Sequence, residues 1–411
     1  MAFDAISAAV RSLRGSLIFA AVCLAWTMAF VGAMLLARHT WITAAVGGLG
    51  AALVLAVPDW RRRRVSFAVL AVSLAAFLMV SEAIIRLAYF GLDAISHPLR
   101  YQPIGAMDDP AYLAPAPEPD VVYTLQPGFR GWVKGVLIAA NRFGLRDRDW
   151  PIHRESPSVI RVMTLGTSIA MGEGVPVDST FTALLGEQLR ARRLEVETLD
   201  FGVGGYTLGT AQALLRARGL QFHPDVVVQE LTVPALGETS QSINDLRASF
   251  ERTMRDRPPA SLFEINSFAL FAIYPPLSLR ARLTAFASPR AAGRARPDGF
   301  VEATLARFGR LAVERHFLGV VFVPHPILGF GDRTLDQQQR DYILRLATAD
   351  GLIYVDSYDR FSASDQVESL SIFPSELHPN AEAHRRHAAA LVDALDPRLR
   401  QLRQSKPVTL Q

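Results

Sequence analysis

Two short segments carry residues that can do chemistry. Ser168 stands in Leu165-Gly166-Thr167-Ser168-Ile169-Ala170-Met171-Gly172, and His378 in Ser375-Glu376-Leu377-His378-Pro379-Asn380. A serine hydroxyl is a weak nucleophile until a base lies within hydrogen-bond reach, and that base needs a group to orient it. His378 fits the base and Glu376 the orienting carboxylate, with Asp356 in reserve. Glycine-rich turns, here also Asp200-Phe201-Gly202-Val203-Gly204-Gly205-Tyr206, expose backbone N–H groups that can hold an oxyanion. By spacing alone a second reading stands beside this one. In it, Ser168 is an ordinary turn residue and His378 caps or anchors the last helix.

Other chemistries lack their parts. Cys23 is the only cysteine, so neither an intramolecular disulfide nor a cysteine zinc site can form. No Walker-type glycine loop and no cluster with metal-ligand spacing occurs, so no cofactor and no metal are expected. The net charge of +4 over 411 residues excludes a strongly basic nucleic-acid binder, and nucleic acid is not expected as a partner. A hydrophobic fraction of 50% excludes a largely disordered chain.

The elements that must position these residues follow from hydrophobic periodicity. Strands are expected at 159–165, 196–200, 226–231, 318–323 and 352–355. Helices are expected between and after them, at 180–193, 208–218, 300–317, 335–349 and 381–395. Such alternation predicts a parallel five-stranded sheet covered by helices on both faces. In sheets of this kind, sites lie at the carboxyl ends of the strands, where Ser168 and the 200–206 turn fall. Residues 121–132 read as short strands and turns. The stretch 238–298 breaks the alternation and reads as a helical insertion, with a helix at 244–257 and an apolar patch at 263–277.

The first 92 residues read as a membrane region. Apolar runs predict three transmembrane helices, near 16–37, 41–58 and 65–88. Glu82 and Arg86 are spaced to pair on one helix face. Arg11 and Arg14 precede the first run, and Arg61, Arg62, Arg63 and Arg64 separate the second from the third. The positive-inside rule then puts both basic segments in the cytoplasm and the rest of the chain outside. In a bacterium with two membranes this means an inner-membrane, multi-pass protein with a periplasmic domain. Residues 93–120 read as a linker, 121–400 as the outer domain and 401–411 as a tail.

The same segments resemble the SGNH/GDSL hydrolase superfamily, in particular its membrane-anchored bacterial cell-envelope branch. Leu165-Gly166-Thr167-Ser168 with Gly172-Glu173-Gly174-Val175 resembles block one, and Asp200 to Tyr206 resembles block two, whose pattern is Asn-x-Gly-Val-x-Gly-Tyr. His223-Pro224-Asp225-Val226-Val227-Val228 resembles the approach to block three, and Glu376-Leu377-His378-Pro379-Asn380 resembles block five. The preamble, Leu125-Gln126-Pro127-Gly128 through Asn141 to Gly144-Leu145-Arg146-Asp147, resembles the same branch. The resemblance implies a three-layer α/β/α, flavodoxin-type domain. It also implies Ser168 as nucleophile and oxyanion donor, Gly205 as second donor and His378 as base. Three departures bear on the site. Ser375 stands where the usual block-five acid precedes the histidine by three residues, with Glu376 two before. Thr167 replaces the aspartate before the nucleophile. Pro234 stands where block three ends in an oxyanion asparagine, and Asn244 is a nearby substitute.

The expected function is a membrane-anchored serine esterase or O-acyltransferase. Its substrate would be an O-acyl, specifically acetyl, ester of an envelope glycan. Two alternatives stand beside it: a weakened or inactive relative that binds glycan or assists polysaccharide-assembly proteins, and a lipid-ester hydrolase. The bilayer, through the N-terminal helices, and an acylated glycan are the expected partners.

Overall fold

The computed structural model describes residues 76–101, 112–255, 298–325 and 333–405, apart from 78, 89, 98, 99, 134, 155, 363, 364, 366–368, 374 and 375. The chain divides into two compact units. The described part of the first is residues 76–101. Residues 79–88 are helical there, and Arg86 donates to Glu82 at 2.6 Å, the pairing expected from their spacing. The expected spans 16–37 and 41–58, and residues 65–75 of the third, lie outside the described residues. So do 256–297, which include the apolar patch at 263–277. Among the described residues no helix is long and apolar enough to cross a membrane.

The second unit holds the sheet. Four short strands come first: β1 (Leu113–Pro115), β2 (Tyr123–Leu125), β3 (Arg130–Val133) and β4 (Val136–Ala139). They form two antiparallel ribbons, β1 with β2 and β3 with β4. The expected linker therefore ends early. Residues 113–115 join the domain because β2, with all three side chains buried, offers them a paired edge.

Five parallel strands follow: β5 (Ile160–Gly166), β6 (Val196–Gly202), β7 (Val226–Glu230), β8 (Leu318–Val323) and β9 (Ile353–Asp356). Their order across the sheet is β6-β5-β7-β8-β9. That is the 2-1-3-4-5 order of flavodoxin-type sheets, and it fixes a switch point between β5 and β7, where ligands bind in such folds. The strands β5 and β7 are buried along their whole length because both faces are covered. Val162, Val226, Val228, Val320 and Phe322 pack on one side with α2 (Phe181–Ala191, following the single-turn α1, Ser168–Met171) and α7 (Ala381–Ser405). Met163, Leu165, Val227, Val321 and Val323 pack on the other with α3 (Leu208–Leu214), α5 (Phe300–Arg315) and α6 (Arg333–Ala349). This unit is thus a three-layer α/β/α sandwich. A helix α4 (Ser242–Arg255) occupies the described start of the insertion, and a ribbon of β10 (Ser371–Phe373) and β11 (Glu376–Pro379) precedes α7.

Two helices differ from their expected bounds. α3 stops at Leu214 and widens into a π-turn over Leu215–Gly219. Gly219 lies against Met163, and a Cβ on it would come within 3.0 Å of the methionine sulfur. α7 continues to Ser405, ten residues beyond the expected Leu395, through Pro397. The buried Leu399, packed in the core, repays the lost hydrogen bond.

Candidate active site

Strand β5 ends at Gly166, and the chain turns at once into the single-turn helix α1. Thr167 caps it, its hydroxyl accepting from the Ile169 N–H. Ser168 is therefore the first helical residue, at the carboxyl edge of a central strand. The turn is held from the neighbouring strand. Glu230, the last residue of β7, accepts from the Thr167 N–H at 2.8 Å, the Thr167 hydroxyl at 2.9 Å and the Ala170 N–H at 3.0 Å. A Cβ on Gly166 would stand 2.2 Å from the Glu230 carboxylate, so glycine is required for this approach. Burial raises the Glu230 pKa, opposed by these three hydrogen bonds and the charge of His378. The carboxylate missing at position 167 is thus supplied by the adjacent strand.

His378 reaches the serine from the opposite end of the chain. It sits in β11, where Phe373 pairs with Glu376 and Ser371 with Pro379. Asn380 then caps α7, its side-chain oxygen accepting from the Glu382 and Ala383 N–H groups at 3.0 and 3.1 Å. The ribbon and cap fix the histidine so that its Nε2 lies 2.7 Å from Ser168 Oγ. This is the distance a serine needs from its base.

The block-two turn closes the site from the side. A Cβ on Gly204 would stand 3.9 Å from the Ser168 Cβ, so this turn abuts the serine. Gly205 has φ of 78°, a left-handed conformation that favours glycine. Among the described residues, neither the Ser168 N–H nor the Gly205 N–H donates a hydrogen bond, and both remain available to an oxyanion. The preamble braces this turn. The Tyr123 hydroxyl donates to the Gly204 carbonyl at 2.9 Å, and the Tyr206 hydroxyl donates to the Tyr123 carbonyl.

Two buried ionisable groups lie beneath. The Arg146 guanidinium, 1% exposed, donates to the carbonyls of Met171 (3.1 Å), Gly172 and Val175 (2.6 Å), and so holds the turn that follows the serine. Burial lowers its pKa to about 10. Asp200 stands where block two has asparagine. Burial raises its pKa well above the carboxylate range, with the nearby Asp147 adding to the effect. Its Oδ1 accepts from the Gly202 N–H at 2.8 Å. Asp147 accepts from the Asp200 N–H and the Trp150 indole, both at 2.8 Å, and burial raises its pKa to about 6.

The remaining expected residues are placed as follows. Glu376 is the first residue of β11, two before His378; its side chain lies outside the described ones. Asp356 ends β9 and is engaged by Tyr354, the Tyr358 N–H and Arg340, at 2.9, 3.0 and 3.7 Å. Pro234 lies in the 3-10 turn Val233–Gly237 that follows β7, and a proline has no N–H to offer. Asn244 is exposed on α4 and bonds to Gln241 and Arg247, a helix-surface role. His384 is a packing residue: its Nδ1 accepts from the Phe181 N–H at 3.1 Å at the start of α2. Among the described residues no group of side chains is arranged to hold a metal. Glu230 and Tyr123 support the site without having been singled out by the sequence, and Arg146 was quoted only as part of the preamble. The signal for Glu230 was a carboxylate in a strand whose other residues, Val226-Val227-Val228-Gln229, carry no charge.

No family model matches the chain, and no curated protein does. Solved structures do. One is a lipolytic protein of the G-D-S-L family from Desulfitobacterium hafniense, 13% identical, covering 57% of this chain and 99% of that one at a TM-score of 0.33. Another is an acetylxylan esterase from Geobacillus stearothermophilus, 16% identical, covering 57% and 94% at a TM-score of 0.36. TesA is 15% identical, covering 58% and 98% at a TM-score of 0.36. The 2-1-3-4-5 sheet, the glycine turns at its carboxyl edge and the Ser168–His378 contact describe an α/β/α domain with a serine–histidine pair at the carboxyl edge of its sheet.

Proposed function

We propose that the protein is a serine esterase or O-acyltransferase, anchored in the inner membrane by its N-terminal region and facing the periplasm. Its substrate in this reading is an acetyl ester on an envelope glycan. The observation that carries the chemistry is the 2.7 Å contact between Ser168 Oγ and His378 Nε2. His378 takes the serine proton as Oγ attacks the ester carbonyl. The oxyanion forms against the Ser168 and Gly205 N–H groups, and the proton then passes to the leaving alcohol. Water as acceptor gives hydrolysis, and a sugar hydroxyl gives transfer. The anchoring and the facing rest on the apolar runs and arginine distribution of residues 1–92.

One observation favours a second reading. Pro234 removes the third oxyanion donor of the block-three pattern, and losing such a donor costs about 10²–10³ in rate. A protein so weakened would bind the glycan or assist polysaccharide-assembly proteins instead.

The test uses the full chain in detergent beside Ser168→Ala. Fluorophosphonate labelling and release of p-nitrophenol from the acetate ester, both lost in the variant, support the enzyme. Equal behaviour of the two folded proteins supports the binding role.

A further inference from the structure

Glu173 occupies the acceptor side of the histidine. Its carboxylate Oε2 lies 3.6 Å from His378 Nε2, the same nitrogen that faces Ser168 Oγ at 2.7 Å. A triad acid orients its histidine through Nδ1. Glu173 therefore does not fill that role; it stands where the proton is exchanged. The chain goes to some length to put it there. Gly172 and Gly174 flank it with φ of 70° and 84°, and Cβ atoms on them would each come within 2.2 Å of Thr180 and Ile372 side chains. The Glu173 N–H donates to the Ser168 carbonyl at 2.9 Å, and Arg146 holds the carbonyls on both sides. The carboxylate is 12% exposed, and a Cβ on Gly204 would stand 3.4 Å from its Oε2, so it also borders the oxyanion turn.

A negative charge beside an oxyanion site opposes both halves of the reaction alike, because charge of the same sign develops there in each. What differs in the second half is the incoming acceptor, whose O–H groups a carboxylate can hold. Two groups 3.6 Å apart are close enough for one oxygen atom to lie within hydrogen-bond reach of both. We propose that Glu173 holds the acyl acceptor for deacylation, accepting a hydrogen bond from an acceptor that has a second O–H to give. For water, one O–H proton passes to His378 Nε2 as its oxygen attacks the acyl carbon, while the other O–H donates to Glu173. The tetrahedral intermediate then expels Ser168 Oγ, which takes the proton back from Nε2, and the carboxylic acid leaves. For a sugar, the attacking hydroxyl gives its proton to Nε2 while a vicinal hydroxyl donates to Glu173. A monohydric alcohol such as methanol has no second O–H and gains nothing from the carboxylate.

This rests on the serine-acyltransfer reading, and the experiment separates the two. The full chain, Glu173→Gln and Glu173→Ala are followed with p-nitrophenyl acetate in a stopped-flow instrument, with and without methanol. Fluorophosphonate labelling of each protein reports the nucleophile independently. The expected result is unchanged or faster acylation, hydrolytic deacylation slowed roughly tenfold in Glu173→Ala, the worth of about one charge-assisted hydrogen bond, and a burst of nitrophenol. The ratio of methanolysis to hydrolysis rises by a similar factor. Equal slowing of acylation and deacylation, or an unchanged ratio with labelling intact, overturns the proposal. Absence of labelling in the unmodified chain overturns the serine reading, and this inference with it.

Discussion

Replacing Glu230 by alanine is the sharpest test of how the nucleophile turn is built. The carboxylate receives three hydrogen bonds, from two backbone N–H groups and one hydroxyl, and it is 3% exposed. Alanine leaves those donors without acceptors and opens a void under Gly166. A buried donor without an acceptor costs about 1–3 kcal/mol. The Thr167 hydroxyl can turn toward other acceptors, so two stranded N–H groups set the scale, at about 2–6 kcal/mol. That is a large share of the about 5–15 kcal/mol that holds a domain of this size together. Glutamine keeps one acceptor oxygen but points an amide N–H at a donor, and should fall between alanine and the unmodified chain. The assay is urea unfolding followed by intrinsic fluorescence, paired with fluorophosphonate labelling in the absence of urea. The expected order of unfolding midpoints is Glu230, then Gln, then Ala, with labelling rates in the same order, because the turn carries Ser168 itself. An alanine variant that unfolds at the same urea concentration and labels at the same rate would falsify the account of the turn.

Other perturbations have definite signs. Tyr123→Phe removes the hydrogen bond to the Gly204 carbonyl. Its loss is worth about 0.5–1.5 kcal/mol, so kcat for an acetyl ester should drop roughly three- to tenfold while urea stability changes little. Asp200→Asn should raise Tm at pH 8 and leave it nearly unchanged near pH 4. Burial raises the folded pKa of Asp200, so its contribution is present below the unfolded value of about 3.9 and is lost as pH rises. The neutral amide has no such loss. His384 acts in the opposite sense: burial lowers its pKa to about 3, so stability is present above about 6.5 and falls as pH drops toward 3. Tm measured against pH should show this fall, and it should be shallower in His384→Gln. Gly205→Ala should abolish turnover, since φ of 78° disfavours a side chain and a Cβ would stand 2.7 Å from the Tyr123 hydroxyl.

Much of the sheet was legible because each strand is a contiguous signal. Strand β8 was expected at 318–323 and occurs there, since a buried strand is an uninterrupted apolar run with clear turns on each side. The close approach of Ser168 and His378 was expected from the resemblance and from the rule about carboxyl edges, and not from any local pattern. The supports of the site were not legible. The Glu230 contact spans 63 residues and the Tyr123 contact 81, and nothing near either residue marks its partner. The π-turn after Leu214 has the same origin, since the fit of Gly219 against Met163 is a tertiary contact. The continuation of α7 past Leu395 was not legible either: by local rules a proline such as Pro397 ends a helix, and the burial of Leu399 overrides them.

The brace from the preamble also bears on where this domain begins. A chain cut at residue 150 retains all five strands of the parallel sheet, both turns and the Ser168–His378 pair. It lacks Tyr123 against the Gly204 carbonyl, Arg146 beneath the serine turn, and Asp147 against the Asp200 N–H. The parallel sheet and its helices alone are therefore not enough to hold this site, and the expected domain start at 121 already takes in these three residues. A fragment that carried the sheet without residues 112–150 would present the Ser168–His378 pair on an unbuttressed edge.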